Sequence, residues 1–211
     1  MTRPFGLATG LFLAVAAMSS EPARAADMAT AAPVVLPQTA VAPRVDSFRD
    51  RFEFRFGVGM HGVGSAESGV VAVNPELVFP EFRLTDWPID PRWAFIVPRL
   101  HIGGVANFAG RTSYFYVGGL WTYEITQKLF VEGFLGGAIH NGSLSGDPAN
   151  HKSALGCRAL FHTGGSIGYR LAPQWALMFT FDHVSNGETA LGACGVNQGL
   201  NEYLLRVGYT F

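Results

Sequence analysis

The sequence carries few charged residues, and the two signs nearly cancel. Lysine and arginine number 15 and aspartate and glutamate 16, which makes 15% of the 211 residues charged and the formal net charge −1. Nucleic-acid-binding proteins usually present a basic surface, and soluble domains usually contain about 25% charged residues. The charge content therefore argues against nucleic acid as a partner and against an ordinary soluble globule.

The sequence also lacks a long apolar segment beyond its N-terminus. A transmembrane helix needs about 18 or more apolar residues in a row, and no stretch after residue 25 reaches that length. Inside a bilayer only helices and closed β-barrels pair every backbone polar group. If the chain enters a membrane, it must therefore do so as a barrel.

The first residues have the order of a secretory signal peptide. Arg3 supplies a positive charge, residues 5–18 form an apolar run, and Ala23-Arg24-Ala25 offers small residues at the positions that a signal peptidase reads. We expect a signal peptide at 1–25, a flexible Ala/Pro-rich periplasmic segment at 26–47, and a barrel at 48–211. An uncleaved, disordered Ala-rich leader is the alternative for the first segment.

Alternation of apolar and polar residues with a period of two predicts about eight strands. The predicted strands are 52–61, 69–82, 94–106, 112–124, 129–139, 161–171, 175–181 and a last strand that ends at Phe211. Pro75, Pro80 and Pro98 each suggest a bulge or a strand end. The connections at 125–128 and 172–174 are short turns, and those at 142–156 and 187–198 are longer loops. Short turns at one end of a barrel and longer loops at the other are typical of outer-membrane barrels.

The two faces of the predicted strands differ in chemistry. One face carries Phe, Leu and Tyr, and the other carries ionisable residues of both signs: Glu53, Arg55, Glu76, Arg99, His101, Glu132, Arg170 and Arg206. Such groups are costly in a dry soluble core but suit a polar barrel interior. The sequence therefore favours an all-β, eight-stranded antiparallel transmembrane barrel over a soluble sandwich or lipocalin-like barrel.

The chain ends on an aromatic strand, Gly208-Tyr209-Thr210-Phe211. This ending resembles the C-terminal signal read by the outer-membrane assembly machinery, so Phe211 predicts that machinery as a partner. An ordinary edge strand is the alternative. Together with the leader, the ending predicts a multi-pass barrel in the bacterial outer membrane.

Cys157 and Cys194 are the only cysteines. By strand counting, both lie in loops at the same end of the barrel. An even pair in an oxidising compartment suggests a disulfide bond, and two unpaired thiols are the alternative.

The segment around His183 is the candidate for chemistry. His183 and Ser185 are two residues apart, so on a strand they face the same side. A neutral histidine beside a serine can activate the hydroxyl as a nucleophile, and Asn186 and Gly187 could donate to an oxyanion. The alternative is that strand seven has already ended and these residues are hydrated loop.

An ordered set of motifs resembles the lipid A 3-O-deacylase family, the PagL-type acyloxyacyl hydrolases. The motifs are His183-x-Ser185-Asn186-Gly187, Asn197-x-Gly199 and Gly208-Tyr209-x-Phe211. The resemblance implies an eight-stranded outer-membrane barrel that hydrolyses the ester-linked acyl chain at the 3 position of lipid A. It implies His183 as general base, Ser185 as nucleophile, Asn186 in the oxyanion hole, lipopolysaccharide in the outer leaflet as partner, and no metal or other cofactor.

The third catalytic position departs from that family. The family has a glutamate that orients the histidine, and this chain has Asn201 there, followed by Glu202. On a regular strand Asn201 faces outward and Glu202 inward, so Glu202 could reach His183 only through a bulge. Asn201 could orient the imidazole by a hydrogen bond, and Glu188 is a further candidate.

Two hypotheses about function other than an enzyme stay open. The chain could be a small structural or adhesive barrel without activity, for which Asn201 is the best support. A narrow pore is the other reading, although eight strands leave an interior that side chains just fill. A homodimer is also left open.

Overall fold

The computed structural model describes residues 48–81, 91–187 and 194–211, so the predicted signal peptide and periplasmic segment lie outside the described residues. Eight antiparallel strands form a closed barrel in which each strand pairs with the next and β1 pairs with β8. The strands are β1 Glu53–His61, β2 Val70–Glu81, β3 Arg99–Asn107, β4 Tyr114–Glu124, β5 Leu129–His140, β6 Ala159–Ala172, β7 Trp175–Ser185 and β8 Leu200–Thr210. The predicted fold class is confirmed.

The described residues also contain three short 3₁₀ helices, at Phe48–Asp50, Pro91–Ile96 and Pro148–Asn150. Within the described part of the chain, no helix has the length and apolarity to cross a membrane.

The outside of the barrel is apolar and the inside is polar. In β1, Phe54, Phe56 and Val58 are exposed, while Glu53 and Arg55 are buried. The same alternation runs around the barrel, because side chains of a strand point to opposite faces in turn. An apolar outer face around a charged interior is the arrangement of a barrel that sits in lipid.

The buried charges of the interior are paired. Arg55 lies 2.8 Å from Glu132, 2.9 Å from Glu53 and 3.3 Å from Glu76. Seven of the eight ionisable residues predicted for the interior are buried there, namely Glu53, Arg55, Glu76, Arg99, His101, Glu132 and Arg206. Pairing of opposite charges offsets the cost of removing them from water.

Arg170 is the exception among the predicted interior charges. It lies near the end of β6, where it is only half-buried, and it pairs with exposed Glu124. Its guanidinium also lies over the rings of Phe48 and Phe130, at 4.1 and 4.5 Å from their centroids. Arg170 therefore belongs to the rim of the barrel and not to the interior network.

The three prolines predicted to mark bulges or strand ends affect their strands in different ways. Pro98 directly precedes β3, so the strand predicted at 94–106 begins only at Arg99, after a 3₁₀ helix. Pro80 lies at the one register shift between β2 and β3. The prediction of a bulge or strand end at Pro75 is wrong, because Pro75 lies within β2 opposite Phe56.

The strand tolerates Pro75 because a neighbouring side chain bridges to the next strand. Proline has no backbone N–H to donate. The side-chain amide of Asn74 donates to the Gly104 carbonyl of β3 at 2.8 Å. A side-chain hydrogen bond thus connects β2 to β3 beside the residue that cannot make a backbone one.

The barrel has two distinct ends. The described residues of the connections after β1, β3, β5 and β7 (62–69, 108–113, 141–158, 186–187 and 194–199) lie at one end, here called the loop end. Strand β7 is longer than predicted and continues past residue 181 to Ser185, since its register with β6 and β8 is maintained to that point. His183 and Ser185 are therefore strand residues near the loop end.

Candidate active site

Strands β7 and β8 place His183 directly opposite Asn201. The Nδ1 atom of His183 lies 2.7 Å from Oδ1 of Asn201. The Nδ2 group of Asn201 donates to the Val63 carbonyl at 3.2 Å, so the amide oxygen is the atom that faces the histidine. Since this oxygen can only accept, Nδ1 of His183 is the nitrogen that carries the hydrogen in the neutral imidazole, and Nε2 of that tautomer has the lone pair.

Ser185 lies two residues after His183 on the same strand. Both side chains lie on the outward face and are half-buried. Among the described residues, neither the Ser185 hydroxyl nor Nε2 of His183 has a hydrogen-bond partner. Catalytic hydrogen bonds are often long or unformed before substrate binds, and this arrangement leaves the hydroxyl and the ring nitrogen available on the lipid-facing surface.

Gly199 lies against the imidazole. Its backbone φ is +60°, and a Cβ atom at this position would lie 3.0 Å from Cε1 of His183 and 3.6 Å from Nε2. Positive φ and lack of space both require glycine here. Sequence reasoning noted Gly199 only as part of a family motif, whereas the geometry gives it a steric role beside the candidate base.

Asn186 and Gly187 follow the candidate nucleophile in different ways. Asn186 is buried, and its side-chain amide donates to the carbonyls of Leu155 and Val196 at 3.1 and 3.0 Å. Its backbone N–H donates to Asn197. Asn186 was predicted as an oxyanion donor, but in the structure its donors are directed at loop oxygens. Gly187 is exposed, with φ of +65°.

The acidic residues near His183 in sequence point away from it. Glu202 is buried in the interior, where it accepts from Nδ1 of His61 at 3.1 Å. Asp182 is likewise buried and bonded to His162 and Tyr114, each at 2.8 Å. Glu188 lies outside the described residues. The only described orienting partner of His183 is therefore Asn201.

A disulfide bond joins the two loops beside the site. Cys157 and Cys194 are bonded, with their Cα atoms 5.3 Å apart. Next to them, Ala154 and Gln198 exchange two hydrogen bonds, one between backbones at 3.0 Å and one to the Gln198 side chain at 2.6 Å. These contacts dock the second half of the β7–β8 loop, which leads into Gly199, against the β5–β6 loop.

A buried carboxylate ties the other loops together. Glu67, in the β1–β2 loop, accepts from the backbone and hydroxyl of Thr112 at 2.6 and 2.7 Å, from the backbone of Ser153 at 2.9 Å and from His61 at 3.3 Å. Burial alone would raise the pKa of Glu67, but these hydrogen bonds outweigh it and hold the pKa at about 2. Sequence reasoning missed Glu67, since no motif marks it.

The described residues form no cluster of three or more His, Cys, Asp or Glu side chains that could hold a metal ion. The chemistry available at the outer face is that of a histidine, a serine and an amide. A lipid-facing serine–histidine pair on a closed eight-stranded barrel defines the class of the protein as a transmembrane barrel of the outer-membrane type with a candidate hydrolase site. The sequence profile of the family lipid A 3-O-deacylase (PagL) matches residues 69–210, and the chain belongs to this family.

The chain is also similar to solved structures. The crystal structure of the outer membrane enzyme PagL matches with a TM-score of 0.56 and 18% identity, covering 75% of this chain and 99% of that one. A de novo designed transmembrane β-barrel matches with a TM-score of 0.48 and 15% identity, over 77% and 96% of the two chains. Yersinia pestis Ail gives a TM-score of 0.41 and 14% identity, over 75% and 99%. No curated protein sequence matches the chain.

Proposed function

We propose that the chain is a lipid A 3-O-deacylase that hydrolyses the ester-linked acyl chain at the 3 position by serine–histidine catalysis on the lipid-facing exterior. The observation that carries the proposal is the 2.7 Å contact between His183 Nδ1 and Asn201 Oδ1. It leaves Nε2 as the ring nitrogen that does not face Asn201, on a side chain that shares the outward face with Ser185. Family membership supplies the reaction class and the substrate.

In the proposed reaction, the Ser185 hydroxyl attacks the ester carbonyl while Nε2 of His183 accepts its proton. The tetrahedral intermediate then expels the sugar oxygen, which takes the proton back from His183. Water, activated by the same nitrogen, hydrolyses the acyl-serine and releases a fatty acid. The substrate must bring the Ser185 hydroxyl and Nε2 into hydrogen-bond contact for the first step.

Asn201 holds the imidazole in the tautomer that this reaction needs. A carboxylate would also offset the positive charge that His183 acquires, which an amide cannot do. Asn201 therefore contributes orientation alone. Because its own amide is anchored to the Val63 carbonyl, this orientation costs little freedom when the substrate binds.

The backbone N–H of Gly187 is the best-placed donor of a hydrogen bond to the oxyanion of the tetrahedral intermediate. Gly187 is exposed and lies two residues beyond Ser185, whereas the donors of Asn186 already bond loop oxygens. We assign Asn186 the task of fixing the turn that presents Gly187. A direct oxyanion bond from Asn186 would require its contacts with Leu155 and Val196 to break.

The position of the site suits a substrate that stays in the membrane. Aromatic side chains continue from the site down the outer face, with Phe181 and Tyr203 at 5.3 Å between ring centroids. Lipid A in the outer leaflet could present its ester to Ser185 while its acyl chains contact this surface. Assembly into the outer membrane would use the exposed C-terminal Phe211.

A second candidate is a family member without activity, acting as a structural or adhesive barrel. The uncharged Asn201 favours it. The two are separated by adding the refolded protein to lipid A and following the lipid by mass spectrometry. Loss of one 3-hydroxy fatty acid, absent with Ser185→Ala, supports the deacylase, and an unchanged lipid beside an active family enzyme supports the inactive barrel.

A further inference from the structure

The β1–β2 loop (residues 62–69) contacts the candidate site without supplying a reacting group. The backbone N–H of Val63 donates to the Asn201 carbonyl at 2.9 Å. The Asn201 side-chain amide donates back to the Val63 carbonyl at 3.2 Å. Val63 therefore holds both the backbone and the side chain of the residue that orients His183.

The position of Val63 depends on the rest of its loop. Gly62, with φ of +58°, starts the turn, and Ser65 closes it by donating its hydroxyl and backbone N–H to the Gly62 carbonyl at 2.7 and 2.9 Å. Ser65 in turn accepts from the backbone of Glu67 at 3.1 Å. A continuous chain of short contacts thus runs from Glu67 to Val63.

Glu67 fixes this loop to the rest of the loop end. Its carboxylate is fully buried and accepts four hydrogen bonds, from Thr112 in the β3–β4 loop, Ser153 in the β5–β6 loop and His61 in β1. His61 also bonds Glu202, the neighbour of Asn201. Glu67 is therefore fixed to two other loops and to β1, and the backbone of its own loop links it to Asn201.

We propose that Glu67 is a positioning residue of the active site, which sets the tautomer and orientation of His183 through Val63 and Asn201. This inference rests on the proposed function. Glu67 touches neither substrate nor reacting atoms, and it acts by holding the Val63 carbonyl where only the nitrogen of the Asn201 amide can face it. Without that anchor the amide can rotate and present its nitrogen to His183, which favours the wrong tautomer.

A merely structural Glu67 would have a different signature. Its removal would lower stability and leave the folded protein with an unchanged histidine and an unchanged turnover number. A positioning role instead changes the tautomer of His183 and lowers kcat, while KM stays nearly constant because no substrate contact is lost.

The test compares Glu67→Ala with Asp147→Ala in folded, full-length barrels. Asp147 is a matched control, because it is a half-buried loop-end residue whose carboxylate bonds only within its own β5–β6 loop. ¹⁵N NMR of labelled histidine, assigned with His183→Ala, reports the tautomer, and lipid A turnover gives kcat and KM. Should Glu67→Ala not fold, Thr112→Val removes one of the four bonds and tests the same link.

The expected result is a mixed His183 tautomer and a kcat lowered by about tenfold or more in Glu67→Ala, with a smaller change in Thr112→Val and none in Asp147→Ala. An unchanged tautomer and kcat in folded Glu67 and Thr112 variants would overturn the inference. If the wild-type protein leaves lipid A intact, the proposed function fails instead, and the tautomer measurement still decides whether Glu67 positions His183.

Discussion

His183 and Asn201 form the pair on which the site depends, with Nδ1 and Oδ1 2.7 Å apart across β7 and β8. In a serine–histidine–acid triad the third residue contributes both orientation and charge. Here it contributes orientation only, through an amide whose rotation is restricted by the Val63 carbonyl.

Asn201→Ala removes the acceptor that holds His183. We expect kcat to fall by about 100-fold, because a loosely held base is misplaced in most bound complexes, while KM changes little. Steady-state hydrolysis of lipid A by the folded variant measures both. Glu202→Gln is the control, since Glu202 faces the interior and turnover should stay close to wild type. Loss of turnover in Glu202→Gln with retention in Asn201→Ala would reverse the assignment.

Gly199→Ala should displace the imidazole of His183, the proposed general base, by a steric clash. Its Cβ would lie 3.0 Å from Cε1 of His183, so the ring must shift and kcat should fall. Gly195→Ala shares the positive φ, at +76°, but its Cβ meets nothing within 4 Å. Both variants carry backbone strain of about 1 kcal/mol, and only Gly199→Ala should lose activity. Equal losses in the two variants would attribute the effect to strain.

Loss of the disulfide should loosen the loop that leads into β8. Replacing Cys157 and Cys194 with serine removes a link that spans 37 residues, and such links contribute up to about 4 kcal/mol. We expect a lower thermal unfolding midpoint and faster proteolysis near residues 194–198. A reductant should have the same effect on the wild type and none on the double variant. Equal protease resistance of oxidised and reduced wild type would exclude this role.

The loop end should respond to strong acid through Glu67. Its pKa lies at about 2, below the ordinary value of 4.5, so the folded state prefers the charged carboxylate. The contribution of Glu67 to stability is therefore complete above pH 4.5 and is lost as pH falls through about 2. His61 is the titratable group that bonds it, and His140 of β5 interacts with its charge without a hydrogen bond.

Amide proton shifts of Thr112 and Ser153 measure this titration directly, because both amides donate to Glu67. Their shifts should change together with a midpoint near pH 2. Glu67→Gln should abolish the shared midpoint. A midpoint near pH 4.5, the ordinary value, would show that the hydrogen bonds do not stabilise the charged form.

Strand parity made much of the site predictable. Counting back from Phe211 places Asn201 outward and Glu202 inward, which is how β8 presents them. The same period predicted the apolar exterior and the charged interior. Arg170 was predicted to lie in the interior, but it lies at the rim of the barrel, which is partly hydrated. Pro75 was predicted to mark a bulge or a strand end, but the strand continues because Asn74 bridges to the neighbouring strand.

The support of the site could not be predicted from the sequence. Val63 and Asn201 are 138 positions apart, and their contact depends on how a loop folds back over the barrel rim. Asn186 reads as an oxyanion donor by its place after Ser185, yet its amide turns toward Leu155 and Val196. Contacts between loops of this kind follow no sequence period, so no local pattern in the sequence predicts them.

In the proposed function, Ser185 is activated by His183 and cleaves the ester-linked acyl chain at the 3 position of lipid A. The most direct measurement is the mass spectrum of lipid A after incubation with the refolded wild-type barrel and with Ser185→Ala. We expect loss of one 3-hydroxy fatty acid with the wild type and unchanged lipid with the variant. Unchanged lipid with both proteins, or equal cleavage by both, would contradict the proposed function.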